Sequence, residues 1–255
     1  MLVNVNFSRG FYNPTTHFHN STGFHFRTPQ VSQYFARKYE QVVLEETVFL
    51  FKKKNGKEIT KKMTKILIIN GHPNKDSFNF ALADAYKNGA LKSGAEVSEI
   101  IIRDLKFNPN LQAGYQKRTE LEPDLLDAWE KIKWADHLVW IHPVWWGGLP
   151  AITKGFIDRL FLPGFAFQYR ENSVWWDKLL KGKTAHIITT LDQPGWYYRL
   201  MFGQPSVNQL KKSTLEFCGV KPVKTTLLGP MKSSKEADRK KWLEKVEQFG
   251  HNAAQ

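Results

Sequence analysis

The chain has one cysteine in 255 residues, Cys218. It can form no internal disulfide and no all-cysteine metal site, which fits a reducing compartment, with the cytoplasm as the expected location. No apolar run approaches the ~18 residues that cross a bilayer as a helix, so no integral membrane segment is expected. The amino terminus also lacks the charged, apolar and small-residue succession of a secretory signal. His17, His19 and His25 lack metal-ligand spacing, so no metal is assigned. Two nucleotide signatures are missing as well. No G-x-x-x-x-G-K-[ST] occurs, and no G-x-G-x-x-G follows the first strong strand, which argues against a P-loop and against a Rossmann NAD domain.

Positive charge is abundant. The net charge is +13, of which ten Lys/Arg against four Glu in residues 1–62 account for +6. The rest is mixed with Asp and Glu on helical stretches, and no basic stripe with interleaved aromatics is present, so no nucleic-acid partner is expected. The excess does favour anionic ligands. Residues 1–62 carry no sustained periodicity. Val48 to Phe51 followed by Asn55-Gly56 resembles half of a hairpin without a convincing second strand. They are read as a poorly ordered basic extension, and residues 63–255 as the folded domain.

From Lys65 the pattern becomes regular. Lys65–Asn70 (KILIIN) reads as a buried strand, 80–92 as a helix, 96–102 as a second strand, and 123–135 as a helix. A third strand is expected at 136–141, ended by Pro143, which cannot extend a ladder. Pro150 then opens a helix over Ala151–Leu160, at a position like the first helical residue. Thr184–Thr190 is a fourth strand, 207–217 a helix, 222–228 a fifth strand and 235–249 an amphipathic helix. Strands alternating with helices imply an α/β fold. The expectation is a flavodoxin-like five-stranded parallel sheet of order 2-1-3-4-5 with helices on both faces.

In that order three strand ends converge on one edge. After the first strand, His72-Pro73-Asn74-Lys75-Asp76-Ser77-Phe78-Asn79 leads into a helix, whose free N–H groups and positive dipole end suit a phosphate; Ser77 also fits an ordinary helix cap. After the third strand, Pro143-Val144-Trp145-Trp146-Gly147-Gly148 makes an aromatic lip with a tight turn, suited to a flat ring but also to simple packing. After the fourth come Thr189, Thr190, Leu191 and Asp192. The first and third strands flank the switch point of the sheet, where a flavin would sit.

These residues carry a family resemblance. His72-x4-Ser77-Phe78-Asn79, Phe107-Asn108-Pro109, Pro143-x2-Trp146-x-Gly148-x-Pro150-Ala151-x2-Lys154-Gly155, Asp158-Arg159-x-Phe161, Gly164-Phe165-Ala166-Phe167-x-Tyr169, Thr189-Thr190 and Phe217-Cys218-Gly219 together resemble the NAD(P)H:quinone oxidoreductase (DT-diaphorase) family over about residues 64–249. The resemblance implies a homodimeric flavoprotein. FAD is the implied flavin, with FMN as the alternative. NAD(P)H would reduce it, and a quinone or similar acceptor would then take the hydride at the same place. It implies phosphate-side contacts from His72, Phe78 and Asn79, a ring wall of Pro143, Val144, Trp145 and Trp146, and contacts from Thr189, Thr190 and Leu191 to the other polar edge. Arg239 matches a basic residue near the adenine end.

Two departures stand out. Leu191-Asp192 replaces the family's diglycine. The segment 192–205 is shorter, and Tyr197 is the positional match to the active-site tyrosine, with no histidine between it and the next helix. Proton handling would then rest on Tyr197, Tyr198 or water. Phe161, Phe165, Phe167 and Tyr169 form an apolar stretch expected at a dimer interface. Cys218 is read as a buried helix-end thiol, and Asp158 as a structural helix residue. Two other functions compete: a flavodoxin-like electron carrier, and an ancillary flavoprotein subunit of a cation-efflux system, which would need a membrane-protein partner.

Overall fold

A computed structural model of the chain describes residues 63–117 and 119–254. The extension of residues 1–62, with its suggested hairpin, lies outside the described residues. Residues 63–255 form one structural unit. Its elements are β1 (Lys65–Asn70), α1 (Phe78–Lys92), β2 (Glu96–Ile101), a 3₁₀ turn (Ile102–Asp104), α2 (Pro123–Trp134), β3 (His137–Pro143), α3 (Ala151–Leu160), β4 (Phe167–Tyr169), β5 (Trp176–Lys178), β6 (Thr184–Thr190), α4 (Gly195–Phe202), α5 (Pro205–Leu210), a π turn (Lys211–Glu216), β7 (Val223–Leu228) and α6 (Glu236–Ala253). The main sheet is parallel, in the order β2-β1-β3-β6-β7. Counting only its five strands, this is the expected 2-1-3-4-5 order.

The interior strands β1, β3 and β6 are covered on both faces, which is why β1 and β3 read as apolar runs rather than alternating ones. Leu67, Ile69, Leu138, Trp140, Ala185 and Ile187 face α2 and α3 in one core. Ile66, Ile68, Val139, Ile141 and Ile188 face α1 and α6 in the other. The latter two helices cross where glycine permits it. A Cβ on Gly89 would stand 1.8 Å from the Glu247 carbonyl oxygen, and one on Gly250 would stand 2.0 Å from that of Tyr86. Any side chain at either position would force the helices apart.

Four expectations are corrected. Pro143 lies within β3, opposite Thr190, rather than ending the strand before it. Its missing N–H falls on the side of β1, which has already ended, while the ladder to β6 continues through Val144 N–H to the Thr190 carbonyl at 2.8 Å. Pro150 caps α3 rather than filling its first helical position. The helix expected at 207–217 starts two residues earlier and carries the π turn, in which the Thr214 hydroxyl donates to the Gln209 carbonyl at 3.0 Å. The aromatic stretch is mostly internal: Phe161 is buried, and Phe165 and Phe167 pack on the core through Trp129 and Phe217, leaving Tyr169 as its exposed member.

Two elements were not anticipated. The β4–β5 hairpin has three-residue strands too short to register as periodic. Helix α4 (GWYYRLMF) buries only Tyr198 and exposes Trp196, Leu200, Met201 and Phe202, so its sequence shows no polar outer stripe.

Candidate functional site

The carboxyl ends of β1, β3 and β6 open on a cleft of about 210 Å³. His72, Ser77, Phe78 and Asn79 form one side, Pro143, Val144 and Trp145 a second, and Thr190 and Leu191 the third. Nine of the residues singled out from sequence therefore share one concavity. Asp192, expected at this edge but given no role, also lines it, as does Met231, which was not foreseen. Met231 comes from the loop after β7 and is tied in by its N–H to the Leu191 carbonyl, 2.9 Å. Only the fold reveals that contact.

The β1–α1 side is built by local hydrogen bonds. The His72 backbone N–H donates to Asn70 Oδ1 at 3.0 Å, and the Asn74 N–H donates to His72 Nδ1 at 3.0 Å. In that arrangement the imidazole proton rests on Nε2. Burial holds His72 below its ordinary pKa, against the opposing pull of the Asn74 carbonyl, so the ring is neutral at pH 7. Ser77 occupies the cap position of α1, yet its hydroxyl makes no cap bond. Its Oγ and the Nδ2 of Asn79 are buried, and neither has a hydrogen-bond partner among the described residues. Asn79 Oδ1 does accept a bond, from the Thr190 hydroxyl at 2.8 Å, which fixes the amide with its nitrogen unmatched. Buried donors without partners cost about 1–3 kcal/mol each. Two of them at the amino end of a 15-residue helix make a place for an acceptor-rich anion.

The aromatic lip is a two-residue turn. Trp145 and Gly148 exchange both backbone hydrogen bonds, at 3.1 and 2.9 Å, around Trp146 and Gly147. Both central residues have positive φ, 49° and 77°, the signature of a type I′ turn. Gly147 adopts this at no cost, whereas Trp146 is strained there. The turn is pinned by the Tyr198 hydroxyl, which donates to the Gly147 carbonyl at 2.8 Å and accepts from the Ser206 N–H at 3.0 Å. Trp145 stands edge-on to His72 at 5.7 Å. Trp146 is fully exposed and does not line the cleft.

Four other sequence candidates lie off the cleft. Gly147 is a central residue of the lip's turn, and its carbonyl accepts from Tyr198. Thr189 is buried on the opposite face of β6, its hydroxyl 3.3 Å from His142 Nε2. Burial pushes His142 down to about 4, partly opposed by its bond to the Pro143 carbonyl. Tyr197 is half-buried between Trp196 and Phe202. Arg239, in the first turn of α6, donates from Nε to the Ser234 hydroxyl at 2.9 Å. Cys218 is buried, and desolvation pushes its thiol up to about 12. Asp158 accepts from Lys154 on the same helix at 2.6 Å. Among the described residues no cluster of His, Cys, Asp and Glu could hold a metal, and no helix is long and apolar enough to cross a membrane.

Residues 64–249 match the family described as flavodoxin-like fold. The curated NAD(P)H dehydrogenase [quinone] 1 of Cavia porcellus is 30% identical over 182 residues, which are 62% of this chain and 65% of that protein. The chain thus spans about two thirds of that relative's length. Among solved structures, the Smu.1420 protein of Streptococcus mutans superposes with a TM-score of 0.66 at 38% identity, covering 74% of this chain and all of the other. An FMN-dependent NADH-azoreductase from Bacillus anthracis, solved with FMN, shares the fold at 18% identity and a TM-score of 0.59, over 76% of this chain and all of its own. The chain belongs to the flavodoxin-like fold family, with NAD(P)H:quinone oxidoreductases among its relatives.

Proposed function

We propose that the chain is a flavin-dependent NAD(P)H oxidoreductase that delivers two electrons to a quinone-like acceptor. The observation that carries this reading is the pair of unmatched buried atoms, Ser77 Oγ and Asn79 Nδ2, on two residues that line the same cleft as Trp145. Their chemistry fits the phosphate of a flavin, and Pro143, Val144 and Trp145 fit the face of its ring. Thr190 and Leu191 close the far side. A bound flavin supplies the hydride chemistry.

The chain's own residues do the rest. Ser77 and Asn79 donate to the phosphate beside the α1 amino terminus, with neutral His72 adding an uncharged donor. The lip, fixed by Tyr198 through Gly147, keeps Trp145 in place and excludes water from one face. Because the Tyr198 hydroxyl is already engaged twice, Tyr197 is the better source of a hydroxyl near developing negative charge. Arg239 is assigned to the adenine end if the flavin is FAD. Alternate occupation of one site by NAD(P)H and acceptor gives ping-pong kinetics.

The assembly is a homodimer in this reading. Support comes from α4, where Trp196, Leu200 and Met201 are 65%, 73% and 66% exposed on the helix whose Tyr198 holds the lip that carries the exposed Trp146. A second copy would cover such a surface. Residues 1–62 are assigned as an extension that flavin binding does not need, since the family match starts at residue 64. The test is to reconstitute the protein with FAD or FMN and assay NADPH- and NADH-dependent quinone reduction while recording mass by light scattering. Turnover with parallel initial-rate lines and a dimeric mass supports the proposal. Tight flavin binding without turnover would leave an electron carrier instead.

A further inference from the structure

A second concavity, of about 680 Å³, opens at the other end of the same strands. The cleft lies at Pro143 and Thr190, whereas this one is floored by His137 and Thr184, at the starts of β3 and β6. Six residue steps of strand separate the two, roughly 20 Å. Its volume falls in the range of small-molecule sites.

Strand register explains its chemistry. His137 pairs with Thr184, and His186 with Lys224, so alternation brings these side chains and Thr226 to the face under α1 and α6. His137 is fixed on both sides, by the Tyr86 hydroxyl at 3.1 Å from Nε2 and the Thr184 hydroxyl at 2.6 Å from Nδ1. His186 Nε2 is 2.9 Å from the Thr226 hydroxyl. Phe249 of α6 packs against the His186 ring at 4.8 Å and gives the cavity an aromatic wall. No Asp or Glu is among its lining residues, while Lys211 and Lys224 are. Burial first, and then the charge of Lys224, push His137 down to about 4; burial, His137, Lys224 and Lys245 do the same for His186. At neutral pH both imidazoles are therefore uncharged, and the lysines alone set a positive field. A void left by imperfect packing would be apolar, whereas this one is ringed by oriented polar groups.

We infer that this cavity is a second ligand site, taking a small organic anion whose carboxylate meets Lys224 and the threonine hydroxyls and whose flat ring lies against Phe249. The site is independent of the flavin reading. The test uses the full chain as isolated, titrated separately with benzoate, benzamide and inorganic phosphate. The imidazole signals of His137 and His186 are followed by NMR and assigned through His137→Gln and His186→Gln. Benzoate should shift both signals saturably, benzamide should not, and phosphate should bind more weakly than benzoate. Lys224→Gln should weaken benzoate at least tenfold, with the signal of His72 unmoved. The inference is overturned if benzoate gives no saturable shift, if benzamide or phosphate does as well, if Lys224→Gln changes nothing, or if His72 alone responds.

Discussion

Replacing Ser77 by alanine separates a ligand-binding hydroxyl from an ordinary helix cap. A working cap lost from α1 would cost the apoprotein about 1 kcal/mol, enough to lower Tm by roughly 2–4 °C in a domain of this size. The Ser77 hydroxyl makes no cap bond and has no partner among the described residues. Its removal takes away an unmatched buried donor, so the apoprotein should be at least as stable as the parent and up to about 1–3 kcal/mol more so. If it donates to a flavin phosphate, a bond to a charged acceptor worth about 1.5–3 kcal/mol is lost. At about 1.4 kcal/mol per factor of ten, flavin affinity falls roughly 10- to 150-fold. Fluorescence titration of apoprotein with FMN and FAD gives the affinity, and chemical denaturation gives the stability. A Ser77→Ala protein that is destabilised by about 1 kcal/mol and binds flavin as tightly as before would return Ser77 to a capping role.

Three further outcomes are expected. Tyr197→Phe should slow flavin reduction by NADPH roughly ten- to a hundredfold, the effect of losing one donor worth about 1.4–2.7 kcal/mol, with flavin content unchanged; an unaltered stopped-flow rate, with a slow one in Tyr198→Phe, would move the role to Tyr198. Acid should destabilise the fold early. His137, His142 and His186 are pushed down to about 4 by burial, so between about pH 6.5 and 4 the unfolded chain binds protons that the folded one does not. Stability is then fully present above pH 6.5 and falls by up to ~1.4 kcal/mol per pH unit for each histidine. Urea midpoints that do not change from pH 7 to 5 would contradict this. Finally, a chain beginning at Met63 should stay folded and bind flavin; precipitation or loss of flavin would make residues 1–62 part of the fold.

The sheet order was legible because β1 and β3, buried on both faces, write continuous apolar runs, because β6 is rich in β-branched residues, and because cap and glycine signals separate the strands from helices. The cleft was legible for the same reason: strand ends at a switch point must converge. What sequence could not show follows from geometry that local patterns do not encode. Pro143 belongs to β3 because its missing N–H happens to fall where β1 has stopped. Thr189 and Thr190 are adjacent in sequence yet point to opposite faces, so only Thr190 reaches the cleft. Tyr197 was matched to the active-site tyrosine by position alone, and nothing in the sequence shows that the Tyr198 hydroxyl bridges Gly147 and Ser206. Phe161 and Phe165 looked like an exposed patch because the partners that cover them, Trp140 and Trp129, are distant in sequence. Helix α4 breaks the amphipathic rule because its apolar side chains face outward.

In the proposed function the cleft holds a flavin that NAD(P)H reduces and an acceptor reoxidises. Anaerobic mixing of the flavin-loaded protein with NADPH or NADH, followed by a second mix with a quinone, tests it most directly. Full bleaching of the flavin absorbance by one equivalent of NADPH or NADH, and its full return with one equivalent of quinone, is the predicted result. A flavin that neither NADPH nor NADH bleaches, or that once reduced is not reoxidised by quinone, would rule this function out.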